Sequence, residues 1–383
     1  FTTCQKSVTI PTIKEHLINM SIRRGSMRFK VISNTPLKQP PLDYLPEGAG
    51  RWFTIPGGKD AGKVMFYYDV NVGDQEPEAT VVLVHGNPET SYTYRHIRDE
   101  LISSGRPIRI IAMDHIGFGL SDQADFEMID MHHSDNLLQL VRHLDLTGVT
   151  LAIHDWGGPI GVGALIEDPY RVKNLVVMNT SIFPMPKTGY TYKNYPHRLL
   201  RWSLFPRIYP AFAWGGIAAT AVSNGEPQGA MSLAARATGF TVKHIFNCIP
   251  KNTPEYVWSQ SFRSLANANS SMRNVKQTPR WGYGYQYTDE TYGRQDNTKY
   301  YKKMQEKMPK LWRSCPAVGF FGQWDPCGKD EVIDQWHEAL PKMKQATSRY
   351  PDIGHFVEEY KGVDIAKAII KLNFSRTARS FEH

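Results

Sequence analysis

Short, wholly apolar runs alternate with helical patterns between residues 81 and 178, and this alternation constrains the fold more than any other feature of the chain. Val81-Val82-Leu83-Val84 has no polar face, as expected of a strand covered on both sides. Residues 108–113 read as a second such strand. Residues 131–144 follow, with Leu137, Leu138, Val141 and Leu144 at helical spacing. Then come a strand at 151–154, a helix of small residues at 157–167 and an apolar strand at 175–178. Strand and helix in turn imply a parallel sheet with right-handed crossovers. Ahead of the series, 51–55 and 63–70 read as an antiparallel pair joined through Gly57-Gly58.

The alternation stops near Phe183, and for about 125 residues the chain is rich in aromatics and proline. The strand pattern returns at 316–321, followed by a helix at 329–340, a strand at 346–350 and a helix at 363–372. An insertion between two strands of one sheet belongs above their C-terminal ends, where ligands bind in such folds. The expected organisation is therefore an arm at 1–50, a core at 51–183 and 313–383, and a helical cap or lid at 184–312.

Composition narrows the function. The net charge is +8, but basic residues are scattered apart from an N-terminal group (Lys6, Lys14, Arg23, Arg24, Arg28, Lys30) read as a solvated arm. Nucleic-acid binding gains little from this. No apolar run reaches the length of a membrane span. Cys4, Cys248, Cys315 and Cys327 show no metal or redox spacing, and as free thiols they point to a reducing, cytoplasm-like compartment. No cofactor or metal motif appears. Asn179-Thr180-Ser181 matches a glycan acceptor but is expected at the site floor, where a glycan has no room.

Unusual residues stand at each strand end. Strand 151–154 runs straight into Asp155-Trp156-Gly157-Gly158, a strand–turn–helix with a carboxylate at its apex. This matches a nucleophile elbow, with Ile153 in place of its first glycine and Asp155 in place of the usual serine. A carboxylate is ionised at neutral pH and can attack an sp3 carbon without a base, forming an ester. The alternative role for Asp155 is to cap the helix that follows. Hydrolysing the ester requires a base, and Asp352-Ile353-Gly354-His355-Phe356 offers His355 after the last strand. Asp325, 30 residues earlier at the end of another strand, is the candidate acid that orients it. Asn179 holds the competing acid position and cannot serve there. His85-Gly86-Asn87-Pro88 follows strand 81–84; backbone N–H groups of Asn87 and Trp156 would meet a developing oxyanion, and their side-chain N–H donors a departing halide.

These motifs, with Ser91-Tyr92, Arg95 and the run from Asp114 to Asp122, resemble haloalkane dehalogenases of the α/β-hydrolase fold, over roughly residues 40–374 apart from the cap. The resemblance implies a mostly parallel sheet flanked by helices. It makes Asp155 the nucleophile, His355 the base, Asp325 the acid, and Asn87 with Trp156 the halide pair. Partners would be a small apolar halogenated substrate and water, with halide as product. Asn87 together with Asp325 mixes features of two family branches and is similar to a third. Epoxide hydrolases share Asp-Trp-Gly-Gly, the acid and the base, but use two cap tyrosines; Tyr190, Tyr192, Tyr195, Tyr209 and Tyr256 keep that reading open. A luciferase-like oxygenase and a non-catalytic binding protein are the remaining alternatives.

Overall fold

The structure is a computed structural model that describes residues 34–187, 191, 211–223 and 229–375, with the backbones of 21–23 and 26–28. The latter form a short antiparallel pair, β1 (Ser21–Arg23) and β2 (Ser26–Arg28). Of the basic N-terminal group, only the backbones of Arg23 and Arg28 fall within the described residues.

An eight-stranded sheet organises the rest. Its strands are β3 (Gly50–Thr54), β4 (Val64–Asn71), β5 (Ala79–Val84), β6 (Ile108–Met113), β7 (Val149–His154), β8 (Val172–Met178), β11 (Ala317–Gly322) and β12 (Thr347–Tyr350). They lie in the order β12-β11-β8-β7-β5-β6-β4-β3. The pairings of β3 with β4 and of β4 with β6 are antiparallel; those from β6 to β12 are parallel. Expected and observed strands agree to within a few residues. The order doubles back at β5, between β6 and β7. Strand ends on either side of such a reversal open a crevice.

The apolar runs bury both faces because successive side chains point opposite ways. Val82, Val84, Ile111, Met113, Leu151, Ile153, Leu175 and Val177 belong to one buried cluster. That cluster includes residues of α2 (Asp130–His143), α3 (Gly157–Leu165) and α9 (Asp330–Ala339). Val81, Leu83, Ile110, Ala112, Ala152, Val176 and Met178 belong to the other, with α1 (Arg95–Ser103) and α10 (Val357–Phe374). Each fully buried aliphatic side chain contributes about 1.5–3 kcal/mol. Helix α10 begins six residues before the expected 363, because a short first turn from Val357 precedes the expected helix across a kink at Lys361 (φ −124°).

Between β8 and β11 lie α4 (Ala211–Val222), α5 (Ala230–Ile245), α6 (Pro254–Ser261), α7 (Leu265–Gln277), the hairpin β9 (Gln286–Asp289)–β10 (Gly293–Asp296), and α8 (Thr298–Leu311). Helix α4 packs on α5 and α7, whereas α8 packs on α3 and α9 and puts Tyr301, Met304 and Met308 into the first core cluster. Residues 34–49 lie on the core: Leu37 N–H bonds Gly119 at 2.9 Å, and Tyr44 donates to Asp114 at 2.7 Å and stacks on Tyr92. No described helix is long and apolar enough to cross a membrane. Cys248, Cys315 and Cys327 are free thiols, and Cys4 lies outside the described residues.

Candidate active site

Five side chains singled out in the sequence meet at the C-terminal edge of the sheet. Asp155 stands between β7 and α3 with φ of +50°, the left-handed region that strains a side-chain-bearing residue. The strained turn lifts its carboxylate off the sheet, and its own backbone carbonyl accepts from Thr180 Oγ1 at 2.5 Å. Gly86 is required beside it, since a Cβ there would lie 2.2 Å from Asp155 Oδ1. The elbow's missing glycine has a physical explanation. Ile153 points at α3, and the residue facing it is Gly161, where an added Cβ would come within 2.8 Å of Ile153 Cγ2. The small residue has moved to the other side of the contact.

The Asp155 carboxylate is held from two directions. The Asn87 backbone N–H donates to Oδ1 at 2.7 Å. His355 Nε2 lies 3.1 Å from Oδ2, and His355 Nδ1 lies 2.8 Å from Asp325 Oδ2. Asp325 is fully buried, and its second oxygen accepts from the Cys327 backbone N–H at 2.7 Å. Burial alone would strip the proton from His355. Asp325 and Asp155 outweigh that, and the imidazole is held well above its ordinary range.

Asn179 reaches out from the end of β8 to bind strand and base loop together. Its side chain donates to Gly322 and Gly354 carbonyls at 3.1 and 3.3 Å and accepts from Gly322 N–H at 2.7 Å. It is fully buried, so a glycan has no access. The turn carrying His355 is also tied to α4, with His355 N–H bonding the Val222 carbonyl at 3.2 Å.

A small cavity opens onto these groups. Asn87, Asp155, Trp156, His355 and Phe356 form its floor; Ala218, Ala219, Val222, Val275, Thr278 and Trp281 come from the segment between β8 and β11. The walls are chiefly apolar. The Trp156 ring stacks on Trp281 at 3.9 Å between centroids. Trp281 escaped the sequence reading because nothing local marks it. Its indole N–H is committed to the Ser181 carbonyl at 2.6 Å, whereas the Trp156 indole and the Asn87 amide donate to none of the described residues. No described lining residue is a tyrosine. Tyr190, Tyr192, Tyr195 and Tyr209 lie outside the described residues, and Tyr256 is buried on α6, away from this cavity.

Known proteins of this kind include two sorts of enzyme. A stretch of 134 residues is 42% identical to the cis-3-alkyl-4-alkyloxetan-2-one decarboxylase of Xanthomonas campestris, covering 33% of this chain and 43% of that one. A stretch of 157 residues is 35% identical to the haloalkane dehalogenase of Mycolicibacterium paratuberculosis, covering 40% and 48%. The chain thus spans less than half the length of these relatives. The solved haloalkane dehalogenase of Paraglaciecola agarilytica superposes with a TM-score of 0.56 at 22% identity, over 85% of this chain and 93% of that one, a likeness of fold. Residues 79–361 match the family model described as the alpha/beta hydrolase fold, and the chain belongs to that family.

Proposed function

We propose that the protein hydrolyses a carbon–halogen bond, giving an alcohol and a halide through an ester on Asp155. The observation that carries this reading is the division of labour on one carboxylate: Oδ1 takes the Asn87 N–H at 2.7 Å while Oδ2 faces His355 at 3.1 Å. Oδ1 already sits where an oxyanion would be stabilised, which leaves Oδ2 as the attacking oxygen. As Oδ2 bonds to carbon, the carbon–halogen electron pair leaves with the halide, received by the Asn87 amide and the Trp156 indole.

Ester formation also prepares the next step. It removes one of the two negative charges that keep His355 protonated, so the imidazole releases its proton and becomes a base. His355 then takes a proton from water as the hydroxide attacks the ester carbon, with Asp325 steadying the imidazolium. It returns that proton to the departing alcohol, so that each cycle releases one proton with the halide. The segment bearing α4 and α7 is read as a cap that keeps bulk water from this chemistry.

A second reading is favoured by the relatives at 42% and 41% identity, which are named as oxetanone decarboxylases. Here Oδ2 attacks the ring carbon bonded to oxygen, and the leaving group is the ring's own carboxylate. That carboxylate is lost as carbon dioxide, its electron pair forming the alkene as Asp155 is expelled, and no water is consumed. The His355–Asp325 pair has no task in that path, which is why hydrolysis is placed first. The experiment that separates them exposes the purified protein to 1-bromoalkanes, cis-dialkyl oxetan-2-ones and epoxides. Halide release supports the first reading, carbon dioxide with alkene the second, and diol alone contradicts both.

A further inference from the structure

Next to the nucleophile, three ionisable side chains are packed together out of solvent. Glu89 follows β5, His154 ends β7 immediately before Asp155, and Glu358 lies in the first turn of α10; all three are buried. Glu89 Oε2 accepts from the Gly86 N–H at 2.9 Å, and its Oε1 lies 2.9 Å from His154 Nδ1. His154 Nε2 is 2.9 Å from the His355 carbonyl, with Glu358 Oε2 at 3.4 Å. Thr93 Oγ1 donates to Glu358 Oε1 at 2.8 Å.

Geometry and charge together favour a charged His154. Nε2 meets a carbonyl and so carries hydrogen. Nδ1 lies 2.9 Å from Glu89 Oε1, an ion-pair contact without a hydrogen-bonding angle, and the carboxyls on either side favour the imidazolium. Despite its burial, contacts with Glu358 and Glu89 raise it to about 9. Burial pushes the Glu358 carboxyl up, to about 8, and Glu89 adds to the push; at Glu89 the His154 charge reverses the effect of burial and brings the group down to about 2. Among the described residues Glu358 Oε2 makes no hydrogen bond. Tyr94, Glu359, Asp155 and His355 are the other titratable groups around the cluster. The His154 and His355 rings lie 4.7 Å apart between centroids.

We propose that Glu89, His154 and Glu358 are positioning residues that register the loop carrying Asn87 against the loop carrying His355. One end of the chain of contacts holds Gly86 N–H, one residue from the Asn87 donor; the other end holds the carbonyl of the base itself. Glu89 and Glu358 are 269 residues apart in sequence, so this cation is a direct tie between the two halves of the site. The proposal rests on the two-step reading above, because registering donor and base together matters most when the base must find the ester that the donor holds.

The test uses the full chain and two isosteric substitutions. Glu89→Gln keeps an acceptor for Gly86 but removes the charge. It is expected to lower kcat roughly 10- to 100-fold with KM little changed, by analogy with other groups that orient a reacting residue. The Asp155 ester should persist longer after a single turnover, and the His355 titration midpoint, followed by imidazole NMR, should move by about half a unit or more. Glu358→Gln has no proton to lose, and should shift the alkaline limb of the pH–rate profile. Wild-type kcat and midpoint in both variants would overturn the proposal. So would a fall in kcat that leaves the His355 midpoint and pH profile in place, since packing alone explains that result. If Glu89→Gln does not fold, Glu358→Gln decides, and an unmoved alkaline limb and midpoint count against the tie. Failure of the functional reading is separate: the wild type then releases no halide, while NMR still reports the His355 midpoint.

Discussion

At the residue scale the site depends on one carboxylate with two unlike oxygens. Asp155→Ala removes the oxygen proposed to attack and leaves a small residue at a position of φ +50°. Turnover should vanish, with circular dichroism unchanged. Asn87→Ala and Trp156→Phe each remove one side-chain donor for the departing anion. Each should slow the first step about 30- to 1000-fold, as the loss of a preorganised donor costs roughly 2–4 kcal/mol, and pre-steady-state halide release measures it. The three residues of the proposed triad were legible in the sequence because each lies within five residues of a strand end, Asp155 immediately after β7, so the strand pattern locates the side chain. Glu89, His154 and Trp281 were not. No local pattern encodes their pairings: Trp281 bonds Ser181, 100 residues away, at 2.6 Å, His154 bonds the carbonyl of His355, 201 residues away, at 2.9 Å, and Glu89 meets His154 from a different strand end.

At the element scale the elbow is a strand and a helix packed too closely for two ordinary side chains. Ile153 fills the space from β7, and Gly161 on α3 makes room. Gly161→Ala would bring its Cβ to 2.8 Å from Ile153 Cγ2, and should destabilise the protein by about 1–3 kcal/mol. In combination with Ile153→Ala the added methyl gains space, so the double variant should be more stable than the sum of the two single losses allows. Urea unfolding of the four proteins measures the coupling, and additive losses would contradict the contact. The departure at Ile153 was visible in the sequence; its compensation needed the register between β7 and α3. The same limit applied between β8 and β11, where wholly apolar strands give way to helices whose apolar faces meet one another, and periodicity does not say which helix meets which. Thus α8 lies against α3 and α9, while α4 and α7 contribute Val222 and Val275 to the cavity.

At the scale of the whole molecule, buried imidazoles set the acid limit of stability. His85, His115 and His133 lie ring against ring in the core, tilted, at 4.2 and 5.0 Å between successive centroids. Burial, reinforced by neighbouring imidazoles, keeps His85 and His133 well below the ordinary range, and burial brings His115 to about 4. Unfolded, these groups bind protons near pH 6.5; folded, they do not. Stability is therefore intact above roughly pH 6.5 and falls as the pH drops toward about 4. Neither ring nitrogen of His133 has a hydrogen-bond partner among the described residues. His133→Phe should therefore flatten this acid limb in thermal melts between pH 7 and 4, and an unchanged limb would place the titration elsewhere. The sheet order brings Asp155, Asp325 and His355 together, and the proposed chemistry turns on a covalent bond to Asp155. The direct test is the mass of His355→Phe after exposure to a 1-bromoalkane. The account predicts one added alkyl group per chain, on the peptide containing Asp155, stable because the base is gone. A variant that neither turns over nor gains that mass, or that carries the group on another residue, contradicts it.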